Sequence, residues 1–313
     1  MKTRTLGSSA LEVSVVGLGC NNFGILDVEA SRKVVDRALD LGVTFFDTAD
    51  IYGNRGGSEE QLGAILGGRR KEIVLATKFG MAMDDDAAKA RGSRAYIAEA
   101  VEGSLQRLRT DWIDLYQYHT PDPKTPMEET LGALDELVKA GKVRAIGCSN
   151  LAAPGVRDAA ALARAKHLTP FVTAQDEYSL VVRGAEKELL PAVEACGMSL
   201  LPYFPLASGL LTGKYARGGE IPANTRFGRM ARFSDRYMNE ENWRIVEDLK
   251  KFCDARGRSL LELAFAWLLA HRALASVIAG ATRPEQIEAN VKAAEWELTV
   301  EELADVNRLS AKG

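Results

Sequence analysis

Asp47, Tyr52, Lys78 and His119 are residues of the types that can pass a proton to a carbonyl oxygen. A tyrosine phenol, with an ordinary pKa of about 10, is a poor acid at neutral pH. A neighbouring lysine ammonium favours the tyrosinate and lowers that pKa. An aspartate can hold the lysine charged and oriented, and a neutral histidine can hydrogen-bond the carbonyl oxygen. Such a set protonates oxygen while something else delivers hydride to carbon. Singly, each residue has an ordinary reading: Asp47 as a loop cap, Tyr52 as a packing aromatic, Lys78 as a paired or solvent-reaching group, and His119 as a strand-end residue before a Pro-Asp-Pro turn. They become one hypothesis only if the fold aims them at one place.

The elements that would do so alternate along the whole chain. Short apolar runs at 13–17, 44–47, 73–78, 113–119, 143–149, 171–175, 199–203 and 275–279 read as strands. Stretches with apolar residues at helical spacing lie between and after them, at 30–41, 58–66, 94–108, up to 140, 154–167, 186–196, 240–256, 259–271, 283–293 and 299–309. Residues 3–5 and 11–13 around Gly7 suit a small hairpin, and Ser58 with Gln61 has the spacing of a capping box. Segment 205–239 shows no clear period, and a loop of that length is usually functional. One continuous rhythm of β/α units without a composition break predicts a parallel sheet closed as a (β/α)8 TIM barrel, with an N-terminal β-hairpin and an extra C-terminal helix, in a single domain over 1–313. Barrel sites form at the C-terminal ends of the strands. Those ends carry Asp47, Lys78, His119, Ser149 with Asn150, Gln175, Tyr203 and Gly280, and Tyr52 lies in the loop after Asp47. Convergence at one mouth weighs more than any single residue.

Bulk properties exclude other classes. A net charge of −3 over 313 residues offers no basic field for nucleic acid or an anionic membrane. The cysteines 20, 148, 196 and 253 are scattered and read as free thiols. The N-terminus lacks the apolar core of a signal peptide, and the apolar run 260–270 is too short to span a bilayer. A cytoplasmic protein is expected, and the sequence assigns no oligomeric state. Gly17-Leu-Gly-Cys-Asn-Asn lacks the third glycine of a dinucleotide fingerprint, and 209–214 has the wrong spacing for a phosphate-cradling P-loop. His119, His167 and His271 sit on different elements, so no metal is expected. Asp84–Asp86 reads as a solvated loop, Trp112 and Trp267 as core, and Asp50 as a loop residue without a role.

Motifs spread from about residue 3 to about 309 resemble the aldo-keto reductases: Gly17-Leu-Gly-Cys-Asn-Asn-Phe-Gly24, Asp47-Thr-Ala-Asp-Ile-Tyr52-Gly, Ala76-Thr-Lys78, Gln117-Tyr-His119, Gly147-Cys-Ser-Asn150, Gln175, the run from Tyr203 to Leu210, and the run from Ile278 to Asn290. The resemblance implies a (β/α)8 barrel, a nicotinamide cofactor and the tetrad Asp47, Tyr52, Lys78 and His119, with Tyr52 as general acid. It further implies Ser149, Asn150 and Gln175 on the nicotinamide carboxamide and Tyr203 stacked on the ring. Leu206, Ser208, Gly209, Leu211 and Lys214 would line the pyrophosphate. Thr282, Arg283, Gln286 and Asn290 would hold the adenosine end and its 2′-phosphate, which favours NADPH/NADP+ over NADH. The backbone supports that placement, since Gly280-Ala-Thr ahead of Pro284 offers free N–H groups at a helix start, and Arg283 adds a fork suited to phosphate. His119 matches carbonyl reducers rather than the steroid double-bond reductases, which carry glutamate there. Asn21 departs from the aromatic many relatives carry and implies a more polar pocket. A small-molecule carbonyl substrate is expected, reduced to its alcohol. The alternative is an NADPH-sensing module of the potassium-channel β-subunit type with little turnover, against which stands the lack of an N-terminal extension. A further, weaker alternative is a barrel isomerase or lyase with Lys78 as a Schiff base.

Overall fold

The computed structural model describes residues 1–312 apart from Asn224; Asn224, within the long loop, and Gly313 lie outside the described residues. The chain opens with an antiparallel hairpin, β1 (Thr3–Thr5) and β2 (Glu12–Ser14), paired Thr3 to Ser14 and Thr5 to Glu12. Eight parallel strands follow: β3 (Val16–Gly19), β4 (Phe45–Asp47), β5 (Val74–Phe79), β6 (Ile113–Tyr118), β7 (Val143–Ser149), β8 (Phe171–Glu177), β9 (Ser199–Tyr203) and β10 (Val277–Gly280). They pair in chain order, and β10 returns to the side of β3. The last seam closes where the Leu200 N–H donates to the Ala273 carbonyl at 2.8 Å and Leu200 bridges Leu274. The expected (β/α)8 barrel is the observed one.

Helices cover the outside, each with an apolar stripe on the strands. In Val28–Asp40 the buried positions are Ser31, Val34, Val35 and Ala38, and Asp27 caps its start by accepting from the Glu29 N–H. Capping boxes start Leu260–Ala270, from Ser259 and Glu262, and Val300–Leu309, from Thr299 and Glu302. The same spacing at Ser58 and Gln61 forms no box. The Ser58 hydroxyl is already committed to the Cys20 carbonyl (2.8 Å) and to Thr48 Oγ1 (2.7 Å), inside the mouth.

The N-terminal end of the barrel is sealed by packing. Leu6 and Val13 of the hairpin join Phe45, Ala76, Leu115, Ala145, Val172, Leu201, Ala275 and Ile278 in one dry cluster. Arg4 fixes the hairpin there, its guanidinium donating to the carbonyls of Leu269, His271 and Leu274 at the end of a helix. Trp112 was expected in the core; it is only partly covered, lying between the guanidinium carbons of Arg70 (4.7 Å) and Arg144 (5.3 Å). Trp267 is fully buried as expected.

The segment after β9, which shows no period in sequence, holds a 3-10 turn (Ala207–Thr212) and two short helices, Arg226–Arg229 and Ala231–Tyr237. Aromatic contacts pin it down: Tyr215 against Phe227 (4.9 Å) and Phe204 against Phe233 (5.3 Å). The stretch expected to be one helix over 186–196 is a 3-10 turn, Gly184–Glu186, followed by Leu189–Ala195.

Candidate active site

Strand alternation turns the dry layer into a polar one two residues further on. Phe45 is followed inward by Asp47, Ala76 by Lys78, and Leu115 by Gln117, all of them buried. Lys78 Nζ is 2.7 Å from Asp47 Oδ2 and donates also to the Thr48 carbonyl at 2.7 Å. Asp47 Oδ1 accepts from Gln117 Nε2 (3.2 Å) and Gln175 Nε2 (3.1 Å). The carboxylate is thus held by three side chains from three strands. Burial works against the Lys78 ammonium, but Asp47 and Tyr52 more than offset it, and its pKa stands above the ordinary lysine value. Gly147 makes room for this layer: a Cβ there would fall 2.1 Å from Thr173 Oγ1, at the point where β7 shifts register against β8.

Tyr52 lies on the loop after β4, with Lys78 Nζ 5.0 Å from its ring centroid. Directly after it, Gly53, Asn54, Arg55 and Gly56 all have positive φ, a single left-handed turn that anchors the ring's position. Gly53 cannot carry a side chain, because a Cβ would sit 2.5 Å from the Phe23 carbonyl oxygen. Helical geometry starts only after this turn, not at an N-cap on Ser58. Burial raises the phenol's pKa more than Lys78 lowers it, so the net direction is upward from 10, opposite to the expectation from the ammonium alone. Asp50, expected as a loop residue without a role, is 1% exposed, and its two carboxyl oxygens have no hydrogen-bond partner.

His119 ends β6 edge-on to Tyr52, with ring centroids 5.7 Å apart and planes at 86°. Burial, reinforced by the Lys78 charge, drives its pKa down to about 3, so the imidazole is neutral. Next to it Asn150 Nδ2 donates to the His119 carbonyl (2.9 Å) and to Ser149 Oγ (3.1 Å), while the Tyr203 hydroxyl donates to Asn150 Oδ1 (3.0 Å). The four residues of the expected tetrad, with Ser149, Asn150, Gln175 and Tyr203, therefore meet at one mouth.

Two further segments reach this mouth. After β9, the non-glycine residues Phe204, Ala207 and Ser208 have positive φ beside Gly209. A cluster of such residues is a strained, pre-shaped loop. Leu206 and Leu211 pack inward, and Lys214 projects over Tyr215 at 5.0 Å. After β10, Gln286 Oε1 accepts from both the N–H (2.7 Å) and the hydroxyl (3.0 Å) of Thr282, and Arg283 leads into helix Pro284–Ala293. Arg283 is exposed and pairs with Glu285 at 3.5 Å. Asn290 Nδ2 and Ser208 Oγ are buried without partners.

The Aldo/keto reductase family model matches residues 15–311. The chain belongs to the aldo/keto reductase family. That family consists of oxidoreductases that generally use a nicotinamide cofactor on small-molecule substrates. Similar proteins include a probable voltage-gated potassium channel subunit beta of Oryza sativa subsp. japonica, 37% identical over 94% of this chain and 91% of the relative. Aldo-keto reductase YhdN of Bacillus subtilis strain 168 is 34% identical over 99% and 93%. L-glyceraldehyde 3-phosphate reductase of Escherichia coli strain K12 is 33% identical over 100% and 93%.

Within this aldo/keto reductase barrel, three residues stand at the site that had no role in sequence. Gln117 clamps Asp47, and its signal was available, because it lies two positions before His119 and two after the inward Leu115. Arg226 stacks on Phe204 (5.6 Å) and Phe233 (6.0 Å) and reaches Asn22 Oδ1 at 3.5 Å across the mouth. Asp50 is the third. Asp84–Asp86 lies on the rim, where Asp85 pairs with Arg55 of the left-handed turn at 2.6 Å. Among the described residues no helix is long and apolar enough to cross a membrane.

Proposed function

We propose that this chain is an NADPH-dependent reductase that converts aldehydes and ketones to alcohols, with Tyr52 as the proton donor. The observation that carries the reading is the stacking of roles in space: Tyr52 and His119 stand edge to face above a buried Lys78–Asp47 pair. A substrate carbonyl oxygen set between phenol and imidazole meets an acid and a neutral hydrogen-bond partner. Tyr52 gives its proton to that oxygen, Lys78 stabilises the tyrosinate left behind, and Asp47 keeps Lys78 charged and in place. Bound NADPH supplies the hydride.

The donor set fits that cofactor. Gln175 spends its amide N–H on Asp47, which leaves its carbonyl oxygen to accept from the carboxamide alongside Ser149 and Asn150. Tyr203 offers a ring face for the nicotinamide. Leu206, Ser208, Gly209, Leu211 and Lys214 suit the pyrophosphate, and Arg226, over the same loop, adds a second cation. Gly280, Thr282, Arg283, Gln286 and Asn290 take the adenosine end. The partnerless amide of buried Asn290 and hydroxyl of Ser208 are groups that a polar ligand would satisfy. The weakly paired Arg283 is free to fork onto a 2′-phosphate.

A second reading, an NADPH sensor with little turnover, is favoured by the likeness to the rice channel β subunit. A panel of carbonyl compounds that includes 4-nitrobenzaldehyde separates the two. NADPH oxidation on several members is the expected result. Tight NADPH binding with no oxidation across the panel contradicts the reductase reading.

A further inference from the structure

Asp50 stands two residues before Tyr52, and its own N–H donates to the Lys78 carbonyl at 3.1 Å. The loop therefore ties it to the backbone of β5 at the residue whose ammonium lies over the Tyr52 ring. The titratable and charged groups within electrostatic reach of its carboxyl come from several elements: Tyr52 on its own loop, Lys78 on β5, Glu59 on the helix after the left-handed turn, Tyr116 on β6, and Tyr96 and Arg107 on helix Arg94–Leu108. None of them bonds to it. Glu59, itself fully buried, takes the single guanidinium: its Oε2 accepts from Arg107 Nε at 2.8 Å and its Oε1 from Thr77 Oγ1 at 2.5 Å. Lys78 is likewise consumed by Asp47 and the Thr48 carbonyl. Each cation in the compartment thus already has its own carboxylate. An additional buried carboxylate with no cation of its own and at most the neighbouring Ile51 N–H to lean on would be a poorly solvated charge.

We propose that Asp50 is a positioning residue for the Tyr52 proton donor, a carboxylic acid kept neutral beside the Glu59–Arg107 pair so that no second carboxylate joins Asp47 in opposing Lys78 at the phenol. This rests on Tyr52 being the acid. Consistent with it, burial first, and then the Glu59 charge, raise the Asp50 pKa to about 8 against the smaller pull of Arg107, the neighbouring Ile51 N–H and Lys78. Once ionised, Asp50 makes Tyr52 harder to deprotonate, and a weaker acid transfers its proton more slowly. Reduction therefore slows in two stages as pH rises, the first from Asp50 and the second, above pH 10, from loss of the Tyr52 proton itself.

The test is the pH profile of single-turnover hydride transfer from NADPH, in the wild type and in Asp50→Asn and Glu59→Gln. The wild type shows the first decline near pH 8, roughly threefold to tenfold. Asp50→Asn, permanently neutral, loses that decline and keeps the second. Glu59→Gln frees Arg107 for Asp50 and moves the decline to lower pH. Infrared difference spectra of the wild type between pH 6.5 and 9.5 show loss of a protonated carboxyl band that Glu59→Gln shifts to lower pH, a readout that needs neither catalysis nor the Asp50 variant. A first decline that persists in Asp50→Asn, or an infrared titration that Glu59→Gln leaves in place, overturns the proposal while Tyr52 keeps its role. Full hydride transfer in Tyr52→Phe overturns the acid reading and, with it, any role of Asp50 through Tyr52.

Discussion

Phe45, Ala76 and Leu115 form part of a dry layer in the barrel, and two residues further along the same strands stand Asp47, Lys78 and Gln117. Burial does not distinguish the layers, since Phe45 and Lys78 both have zero exposure. What differs is how each is held. The lower layer is fixed by close packing, where loss of volume is the main penalty. The upper layer is fixed by bonds: Asp47 spends both oxygens on three donors, and each donor has a set place. A change below should therefore alter stability and leave chemistry alone, while a change above should alter both.

The most damaging way to probe this contrast is Lys78→Met. It leaves Asp47 as an unpaired buried carboxylate, which costs about 3–5 kcal/mol of stability. It also removes the charge that stabilises the tyrosinate, so hydride transfer should fall by roughly a thousandfold. Chemical denaturation and single-turnover kinetics read the two losses separately. A variant that kept its rate would show that the upper layer is mere scaffolding. Phe45→Ala, one layer down, should cost a similar 3–5 kcal/mol. Its turnover, measured where it is still folded, should stay within about twofold of wild type. A large rate loss there would erase the distinction between the layers. The smallest effect belongs to Arg283→Ala, far from both. NADPH affinity should weaken by about 10- to 100-fold, the worth of a lost charged hydrogen bond or two, with NADH nearly unaffected. Isothermal titration with each cofactor checks it, and equal losses for both remove the 2′-phosphate role.

Much of this was legible in the sequence because a barrel strand has one period and one exit. The ends of β7 and β9 fall where the apolar runs stop, and the polar residue after each run lands at the mouth. β3 was misplaced by a few residues. Val13, Val15 and Val16 are all apolar, so nothing in the pattern shows that the chain leaves the hairpin at Ser14 and enters the barrel at Val16. The left-handed turn after Tyr52 was missed because, although its glycines and Asn54 favour positive φ locally, Arg55 does not. Asp50 does lie in a loop, but its burial was not legible, because acids in loops usually face water. The groups whose fields reach it, Glu59, Arg107 and Tyr116, come from three separate elements and leave no local trace. The short helices of 226–237 were hidden by length, since a four-residue and a seven-residue helix show little periodicity.

The central claim is that Tyr52 delivers the proton from the upper layer. Tyr52→Phe keeps the ring against His119 and Lys78 and removes only the hydroxyl. Paired measurements of NADPH affinity by fluorescence and of single-turnover carbonyl reduction test it most directly. A rate lower by roughly a hundredfold to ten-thousandfold, with affinity within about twofold of wild type, is the predicted result. A variant that reduces the same carbonyl at near wild-type rate would contradict it.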